Sequence, residues 1–166
     1  MVIKMVHRKI GTHALKQPVM PEKKEPMCEP PAKVQTEKRI IVIRHGHDQG
    51  RLTEYGASQI RDSAEKIKML VSGRSIAIWS SPIIRTKQSA EILGSVLGVP
   101  AITEKIMLQT AMLRSVSDLK RDLLEAPESL IILVTHEREA GMLSEHFLSN
   151  CRRLKNGEFF EAKLTR

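Results

Sequence analysis

From residue 38 onward, the chain alternates between short apolar runs and longer stretches in which apolar residues recur every three or four positions. Continuous apolar runs such as IIVI and LIILV are typical of strands that are buried on both faces of a sheet. The last apolar segment alternates with polar residues, which is typical of an edge strand. The predicted strands are residues 40–43, 75–79, 101–103, 130–134 and 158–164.

The stretches between these strands carry apolar residues at the period of a helix. The predicted helices span residues 53–73, 81–98, 115–125 and 137–149. Ser81 and Pro82 predict the start of the second helix, because a hydroxyl cap followed by proline is a common helix beginning. Strands that alternate with helices predict an α/β fold, a three-layer sandwich with a mostly parallel central sheet flanked by helices.

Residues 1–37 differ in composition from the rest of the chain. Five of the eight prolines lie between residues 18 and 31, mixed with Lys and Glu, and such a segment buries too little apolar surface to fold. We therefore predict a flexible, basic, Pro-rich tail at 1–37 and one folded domain at 38–166. The first 20 residues contain no acidic residue, so organelle targeting through this basic segment stays open as an alternative to a simple extension.

The overall composition disfavours several classes of protein. No apolar run approaches the roughly 20 residues that cross a bilayer, so we expect no membrane partner. Cys28 and Cys151 are the only cysteines, which favours a cytoplasmic location over a disulfide-stapled secreted scaffold. The net charge of +8 is spread along a chain with 3% aromatic residues, which disfavours nucleic acid and favours an anionic substrate. The sequence does not predict an oligomeric state.

Polar clusters follow three of the predicted strands. The clusters are Arg44-His45-Gly46-His47, Ser80-Ser81-Pro82 with Arg85, and Thr135-His136-Glu137. Because parallel strands end at the same edge of a sheet, we expect the clusters to converge there. Arginines and histidines gathered at helix N-termini bind anions, and a phosphoryl group is the natural occupant. A histidine that nearby cations keep neutral is a competent nucleophile toward phosphorus.

Four motifs, in chain order, resemble those of the histidine phosphatase superfamily, also called the phosphoglycerate mutase-like family. They are RHG at 44–46, LTxxGxxQ at 52–59, SSPxxRTxQSA at 80–90 and THE at 135–137. The resemblance covers nearly all of residues 38–166, and the modest size is most similar to the small phosphohistidine phosphatases. It implies a metal-independent phosphatase without a cofactor, which forms a phosphohistidine intermediate and acts on a phosphorylated small molecule or phosphoprotein.

The resemblance also implies roles for individual residues. His45 would be the nucleophile that receives the phosphoryl group. Arg44 and Arg85 would clamp the phosphoryl oxygens, and His136 would donate a hydrogen bond to them. Gly46 would let the backbone approach the phosphate.

The identity of the leaving-group acid stays open. Related enzymes carry a glutamate after the third strand in a Leu-x-Glu context, but residues 105–110 read KIMLQT. The resemblance favours Glu137, which directly follows the second histidine, where the acid phosphatase branch of the family carries its acid, and Glu104 is the alternative. A site without an acid would favour good leaving groups, such as those of phosphohistidine or aryl phosphates.

Other interpretations are compatible with the same residues. A catalytically weak relative would use the pocket to bind a phosphorylated ligand or protein partner. Glu137 and Glu139 could simply complement the positive end of a helix. Metal binding by His45 and His47 is disfavoured, because no carboxylate or cysteine cluster accompanies them.

Overall fold

The computed structural model describes residues 37–113 and 115–164. Apart from its last residue, the predicted tail at 1–37 lies outside the described residues and stays a prediction, as does the division of the chain into a tail and one domain. The elements are β1 (Arg39–Arg44), α1 (Glu54–Leu70), β2 (Ile76–Ser80), α2 (Ile84–Leu97), β3 (Ile102–Glu104), α3 (Val116–Glu125), β4 (Leu130–Thr135), α4 (Glu137–Leu148) and β5 (Phe159–Lys163). A short 3₁₀ turn at Ile106–Leu108 precedes α3.

The strands form one sheet in the order β3-β2-β4-β1-β5. β5 pairs antiparallel with β1 at one edge, and the other strand pairs are parallel. The predicted fold class, an α/β sandwich with a mostly parallel central sheet, is confirmed. β1 and β4 are neighbours in this sheet, and Arg44 pairs with Thr135, so the two strands end side by side.

The core lies on both faces of the sheet. Ile41 and Ile43 are fully buried in a hydrophobic cluster with residues of α1 and α2. Ile40 and Val42 are fully buried in a second cluster with residues of α3 and α4. Because successive strand residues point to opposite faces, an uninterrupted apolar run fills both layers at once.

Three of the four predicted helix starts agree with the structure, those of α1, α3 and α4, and the start of α2 is wrong. Thr53 caps α1 by accepting from the Gly56 N–H at 3.0 Å, and Ser115 caps α3. α2 begins at Ile84, after an N-cap residue that makes no side-chain hydrogen bond, and not at Pro82. The hydroxyl of Ser81 lies 3.1 Å from His136 Nε2 and accepts from the Ile83 N–H at 3.4 Å, a residue that precedes the helix, so it caps no residue of α2.

Within residues 37–113 and 115–164, no helix has both the length and the apolar character that crossing a bilayer requires. Cys151 is exposed and carries a free thiol, while Cys28 lies outside the described residues. The cytoplasmic location inferred from these cysteines stays a prediction.

Candidate active site

The ends of β1 and β4 bring two histidines together. His45 and His136 each follow the last residue of their strand, and each is only 4% exposed. Their ring centroids are 5.3 Å apart in an edge-on arrangement. The His45 N–H donates to the Thr135 carbonyl at 3.1 Å, which extends the strand pairing to the histidines. The convergence expected from the strand ends is therefore observed for both.

Arg85, in the first turn of α2, lies against both imidazole rings. Its Nε donates to His45 Nε2 at 3.2 Å, and its Nη2 contacts His136 Nδ1 at 3.4 Å. A guanidinium has donors only, so both of these ring nitrogens accept. Each ring therefore points a lone pair toward Arg85.

His45 has the protonation pattern of a nucleophile that reacts through Nε2. Its Nδ1 lies 2.8 Å from the Gly46 carbonyl oxygen, which only accepts, so the ring proton is on Nδ1 and the lone pair on Nε2. Burial lowers the pKa of His45, and the positive charges of Arg85 and Arg44 lower it further, while the Gly46 carbonyl and Asp48 oppose them. The lowered pKa keeps the ring neutral at pH 7.

His136 has the opposite tautomer. Because Nδ1 accepts from Arg85, the proton is on Nε2, which donates to Ser81 Oγ at 3.1 Å. Burial lowers the pKa of His136 to about 4, with further contributions from His45 and Arg85. His136 is thus a neutral, buried side chain whose two nitrogens both have partners.

Arg44 and Glu137 form an ion pair at the rim of the site. Arg44 Nη1 lies 2.8 Å from a Glu137 carboxylate oxygen and donates to the Leu154 carbonyl at 2.9 Å. Its Nε is buried and has no hydrogen-bond partner within the described part of the chain. Arg153 also contacts Glu137, and Arg153 followed by Arg44 lowers the pKa of that carboxyl. Glu137 is therefore ionised at pH 7, whereas a leaving-group acid needs a raised pKa.

Glu104, the alternative acid, lies at the end of β3. Two strands separate β3 from β1 in the sheet order, which places their ends about 14 Å apart at the usual strand spacing. Its side chain is 47% exposed and its carboxylate is 2.6 Å from Lys87 Nζ. The structure therefore does not bring Glu104 to His45.

Asp48 is close to the site, although the sequence analysis did not single it out. Its carboxylate lies 3.5 Å from His45 Nδ1 and 3.8 Å from Arg85 Nη1. The Gly50 N–H donates to Asp48 Oδ1 at 3.2 Å, and a bridge between Asp48 and Leu52 closes the loop around it. The only feature of the sequence that could have pointed to Asp48 is its position, three residues after the histidine of the RHG motif.

Gly46 and Gly56 let the loop after β1 touch the start of α1. A Cβ on Gly46 would overlap the Gly56 carbonyl, and a Cβ on Gly56 would overlap the backbone of His47. The motifs RHG and LTxxGxxQ therefore meet backbone to backbone. The approach of Gly46 to a phosphate stays a prediction.

Glu139 and Thr135 tie the segment after β3 to the base of α4. Glu139 is fully buried and accepts from the Ala111 N–H at 3.0 Å, and Thr135 Oγ1 donates to the Leu108 carbonyl at 2.9 Å. Ala111 has a positive φ of 63°, which is uncommon for a residue with a Cβ. Glu139 therefore holds a loop beside the site.

The described polar side chains of this region do not form a metal-binding cluster. Across the described ranges, no three His, Cys, Asp or Glu side chains are arranged to hold a metal ion. The polar side chains instead offer several N–H donors and the Nε2 lone pair of His45, which faces the guanidinium of Arg85, a set suited to binding and attacking an anionic group.

The family model of the histidine phosphatase superfamily (branch 1) matches residues 35–109. The predicted resemblance to the histidine phosphatase superfamily is confirmed over this range. The matched range contains the RHG motif and Arg85, while His136 lies beyond it. No curated protein matches the sequence significantly.

Solved structures show the same fold. The protein histidine phosphatase SixA complexed with tungstate has a TM-score of 0.63 and 16% identity, over 75% of this chain and 96% of that one. Phosphoglycerate mutase from Plasmodium falciparum has a TM-score of 0.55 and 19% identity, over 67% and 69%. A phosphoserine phosphatase variant from Entamoeba histolytica, in complex with phosphoserine, has a TM-score of 0.56 and 17% identity, over 75% and 89%. Similarities at these identities establish the fold alone.

Proposed function

We propose that this protein is a phosphatase in which His45 Nε2 accepts a phosphoryl group from the substrate and passes it to water. The observation that carries the proposal is the state of His45, which is buried and neutral, with its proton held on Nδ1 by the Gly46 carbonyl. Its Nε2 lone pair is presented beside the guanidinium of Arg85. A nucleophile next to a cationic anion-binding group is the arrangement that phosphoryl transfer needs.

In the first step, Nε2 attacks phosphorus while the bond between phosphorus and the leaving atom breaks, and the electron pair departs with the leaving group. The ring keeps its Nδ1 proton and becomes positively charged. The Gly46 carbonyl and the Asp48 carboxylate, 3.5 Å from Nδ1, stabilise this charge. Arg85 shifts its donors from the ring nitrogens to the phosphoryl oxygens, where charge is concentrated.

Arg44 is the second group for the phosphoryl oxygens. Its unpartnered, buried Nε is a donor that a bound oxyanion satisfies, since a buried N–H without an acceptor is costly. Glu137 holds the far side of the same guanidinium. We therefore assign Glu137 to orienting Arg44, in place of the acid role that the sequence favoured.

In the second step, a water oxygen attacks phosphorus, the bond between phosphorus and Nε2 breaks, and its electron pair returns to Nε2. The water proton leaves with the phosphate product or passes to solvent. This restores neutral His45 with its proton still on Nδ1. The same two arginines contact the phosphoryl oxygens in both steps.

The arrangement of carboxyl groups favours substrates whose leaving group departs without help from an enzyme acid. Glu137 is ionised between two arginines, and Glu104 pairs with Lys87 at the far side of the sheet. Phosphohistidine and aryl phosphates release an imidazole or a phenolate, which are weaker bases than an alkoxide. We propose a phosphorylated protein side chain or small molecule of this kind as the substrate.

A second candidate function is binding of a phosphorylated ligand or protein without effective turnover. The observation in its favour is the absence of a carboxylic acid poised for the leaving group among the described residues, together with the occupation of Arg44 by Glu137 and the Leu154 carbonyl. Such a protein would use the same donors for recognition.

Rapid-quench analysis with p-nitrophenyl phosphate distinguishes the two functions. A phosphatase gives a burst of nitrophenol equal to the enzyme concentration, together with acid-labile, base-stable phosphate on His45. His45→Ala abolishes both, whereas His47→Ala, which removes the exposed neighbouring histidine, keeps them. A binder shows neither burst nor turnover, and wild-type labelling that persists in His45→Ala would contradict the assignment.

A further inference from the structure

The partners of His136 leave it with a lone pair where a phosphoryl oxygen would lie. Arg85 Nη2 is 3.4 Å from Nδ1, so Nδ1 accepts, and Nε2 donates to Ser81 Oγ at 3.1 Å. The face of His136 that meets Arg85 therefore offers an acceptor. No N–H of the ring points in that direction.

This tautomer cannot contribute to binding a phosphoryl group. In the proposed function, Arg85 turns its donors to the phosphoryl oxygens, which then face Nδ1 of His136. Those oxygens are negatively charged acceptors, and two acceptors that face each other repel. His136 can donate to the phosphoryl group only when Nδ1 carries a proton.

Ser81 has the contacts needed to stabilise that second tautomer. Its side chain is fully buried, and its oxygen lies 3.4 Å from the Ile83 N–H, which donates to it. The hydroxyl hydrogen is therefore free to rotate toward His136 Nε2. When Ser81 donates to Nε2, the ring proton belongs on Nδ1, and the ring stays neutral with one proton as before.

We infer that Ser81 is a positioning residue that holds His136 as the Nδ1–H tautomer while a phosphoryl group is bound. This inference rests on the proposed function, because it needs an oxyanion beside His45. The ring proton moves from Nε2 to Nδ1 by exchange through water, the hydroxyl of Ser81 rotates, and no proton is gained or lost. Ser81 itself does not touch the reacting atoms.

The alternative route to an Nδ1–H group is full protonation of His136. Burial opposes it, and so do the charges of His45, Arg85 and Arg44, which lower the pKa of His136. Asp48 acts in the opposite direction and raises that pKa. With a pKa of about 4, imidazolium is scarce at neutral pH. The hydroxyl of Ser81 supplies the donor geometry without a charge.

Nitrogen-15 NMR of the histidine rings tests the inference directly. In the wild-type protein at pH 7.5, His136 should be protonated on Nε2, and saturating orthovanadate should move the proton to Nδ1. A vanadate complex in which His136 keeps its proton on Nε2, or carries protons on both nitrogens, overturns the inference and leaves the phosphatase proposal intact. If vanadate perturbs neither His45 nor His136, the phosphoryl site and this inference fail together.

Three variants separate a tautomer role from simple packing. Ser81→Ala should lower kcat/KM for an aryl phosphate roughly tenfold at pH 7.5, with a smaller loss at lower pH, where imidazolium can replace the missing donor. Ser81→Thr keeps the hydroxyl and should restore most of the activity. Ser80→Ala is the matched control. It also removes one buried hydroxyl, but that hydroxyl donates to the Ser81 carbonyl at 2.9 Å and not to the ring of His136. A loss in Ser81→Ala that does not vary with pH, or that Ser81→Thr does not rescue, would overturn the role.

Discussion

The ends of β1 and β4 hold two histidines with equal burial and different surroundings. At the end of β1, Nδ1 of His45 faces acceptors, the Gly46 carbonyl and the Asp48 carboxylate. At the end of β4, Nε2 of His136 faces the hydroxyl of Ser81. Burial lowers the pKa of His136 to about 4. Acceptors behind a ring stabilise a positive charge on it, whereas a hydroxyl stabilises either neutral tautomer. In this site, the partner of the second ring nitrogen distinguishes the proposed nucleophile from the proposed hydrogen-bond partner.

Arg85 contacts both histidines, so its removal should disturb both ends of the site and have the largest effect. Arg85→Gln should slow phosphorylation of His45 on the order of a hundredfold, which is about 3 kcal/mol of barrier. The melting temperature should change little, because the side chain is 26% exposed and belongs to neither hydrophobic cluster of the core. Pre-steady-state kinetics and thermal unfolding measure the phosphorylation rate and the melting temperature.

The control for this prediction is Arg61→Gln, which replaces an exposed arginine on α1. An unchanged rate with a large loss of stability would make Arg85 a structural residue.

The pKa of His136 should appear in the acid sensitivity of the fold. Its pKa is about 4 in the folded protein against a reference of 6.5, so the unfolded chain takes up the proton first as the pH falls. Stability that is fully present above pH 6.5 is therefore lost progressively down to about pH 4, to an extent of roughly 3 kcal/mol. Burial lowers the pKa of His45 as well, which adds to the same trend.

Urea unfolding at pH 7.5 and pH 4 checks this prediction. His136→Gln should lose less stability than the wild type between the two pH values, because the variant has no ring to protonate. His146→Gln, on the last turn of α4, is the matched control. Equal pH slopes for wild type and His136→Gln would show that the charge of His136 does not limit acid stability.

Removal of the Asp48 carboxylate should have a smaller effect on the rate than removal of Arg85. Asp48 raises the pKa of His45, so Asp48→Asn should lower it and shift the acidic limb of kcat/KM to lower pH. The same substitution removes a stabilising charge from the phosphohistidine cation, and the phosphorylation rate at neutral pH should fall roughly tenfold. A full pH–rate profile measures both effects. Asp62→Asn, an exposed carboxylate on α1, should leave the profile in place, and an acidic limb that moves upward in Asp48→Asn would contradict the assignment.

The smallest effect is expected at Glu137. Because its carboxylate is ionised between Arg44 and Arg153, Glu137→Gln should change turnover by less than about fivefold, and equally for aryl and alkyl phosphates. Glu104→Gln provides the parallel test of the other candidate acid. A loss that grows steeply with the basicity of the leaving group in the Glu137 variant would restore Glu137 as the acid.

The positions of both histidines could be predicted, because the apolar runs that precede them are long enough to mark strand ends. IIVI and LIILV show where β1 and β4 finish, and parallel strands that finish together bring the next residues to one edge. Adjacency of β1 and β4, with Arg44 opposite Thr135, is a tertiary result that no local pattern contains.

Other features of the site depend on contacts between residues that are distant in the sequence. The cap signal at Ser81 is a valid local pattern, but its hydroxyl is recruited by His136, 55 residues later. Asp48 occupies a short loop without periodicity, so only the folded loop shows that its carboxylate turns back toward His45. The ionised state of Glu137 likewise depends on Arg153, 16 residues away.

The contact between Gly46 and Gly56 limits how this sequence can diverge. Each missing Cβ would overlap main-chain atoms of the other segment and not a side chain, so truncating a neighbouring residue cannot make room for it. A substitution at one glycine therefore has no simple compensating partner at the other, and libraries that vary both positions should recover glycine at both. Near His45, amino-acid substitutions should therefore be tolerated at side chains around this glycine contact, such as the exposed Tyr55, and not at the two glycines.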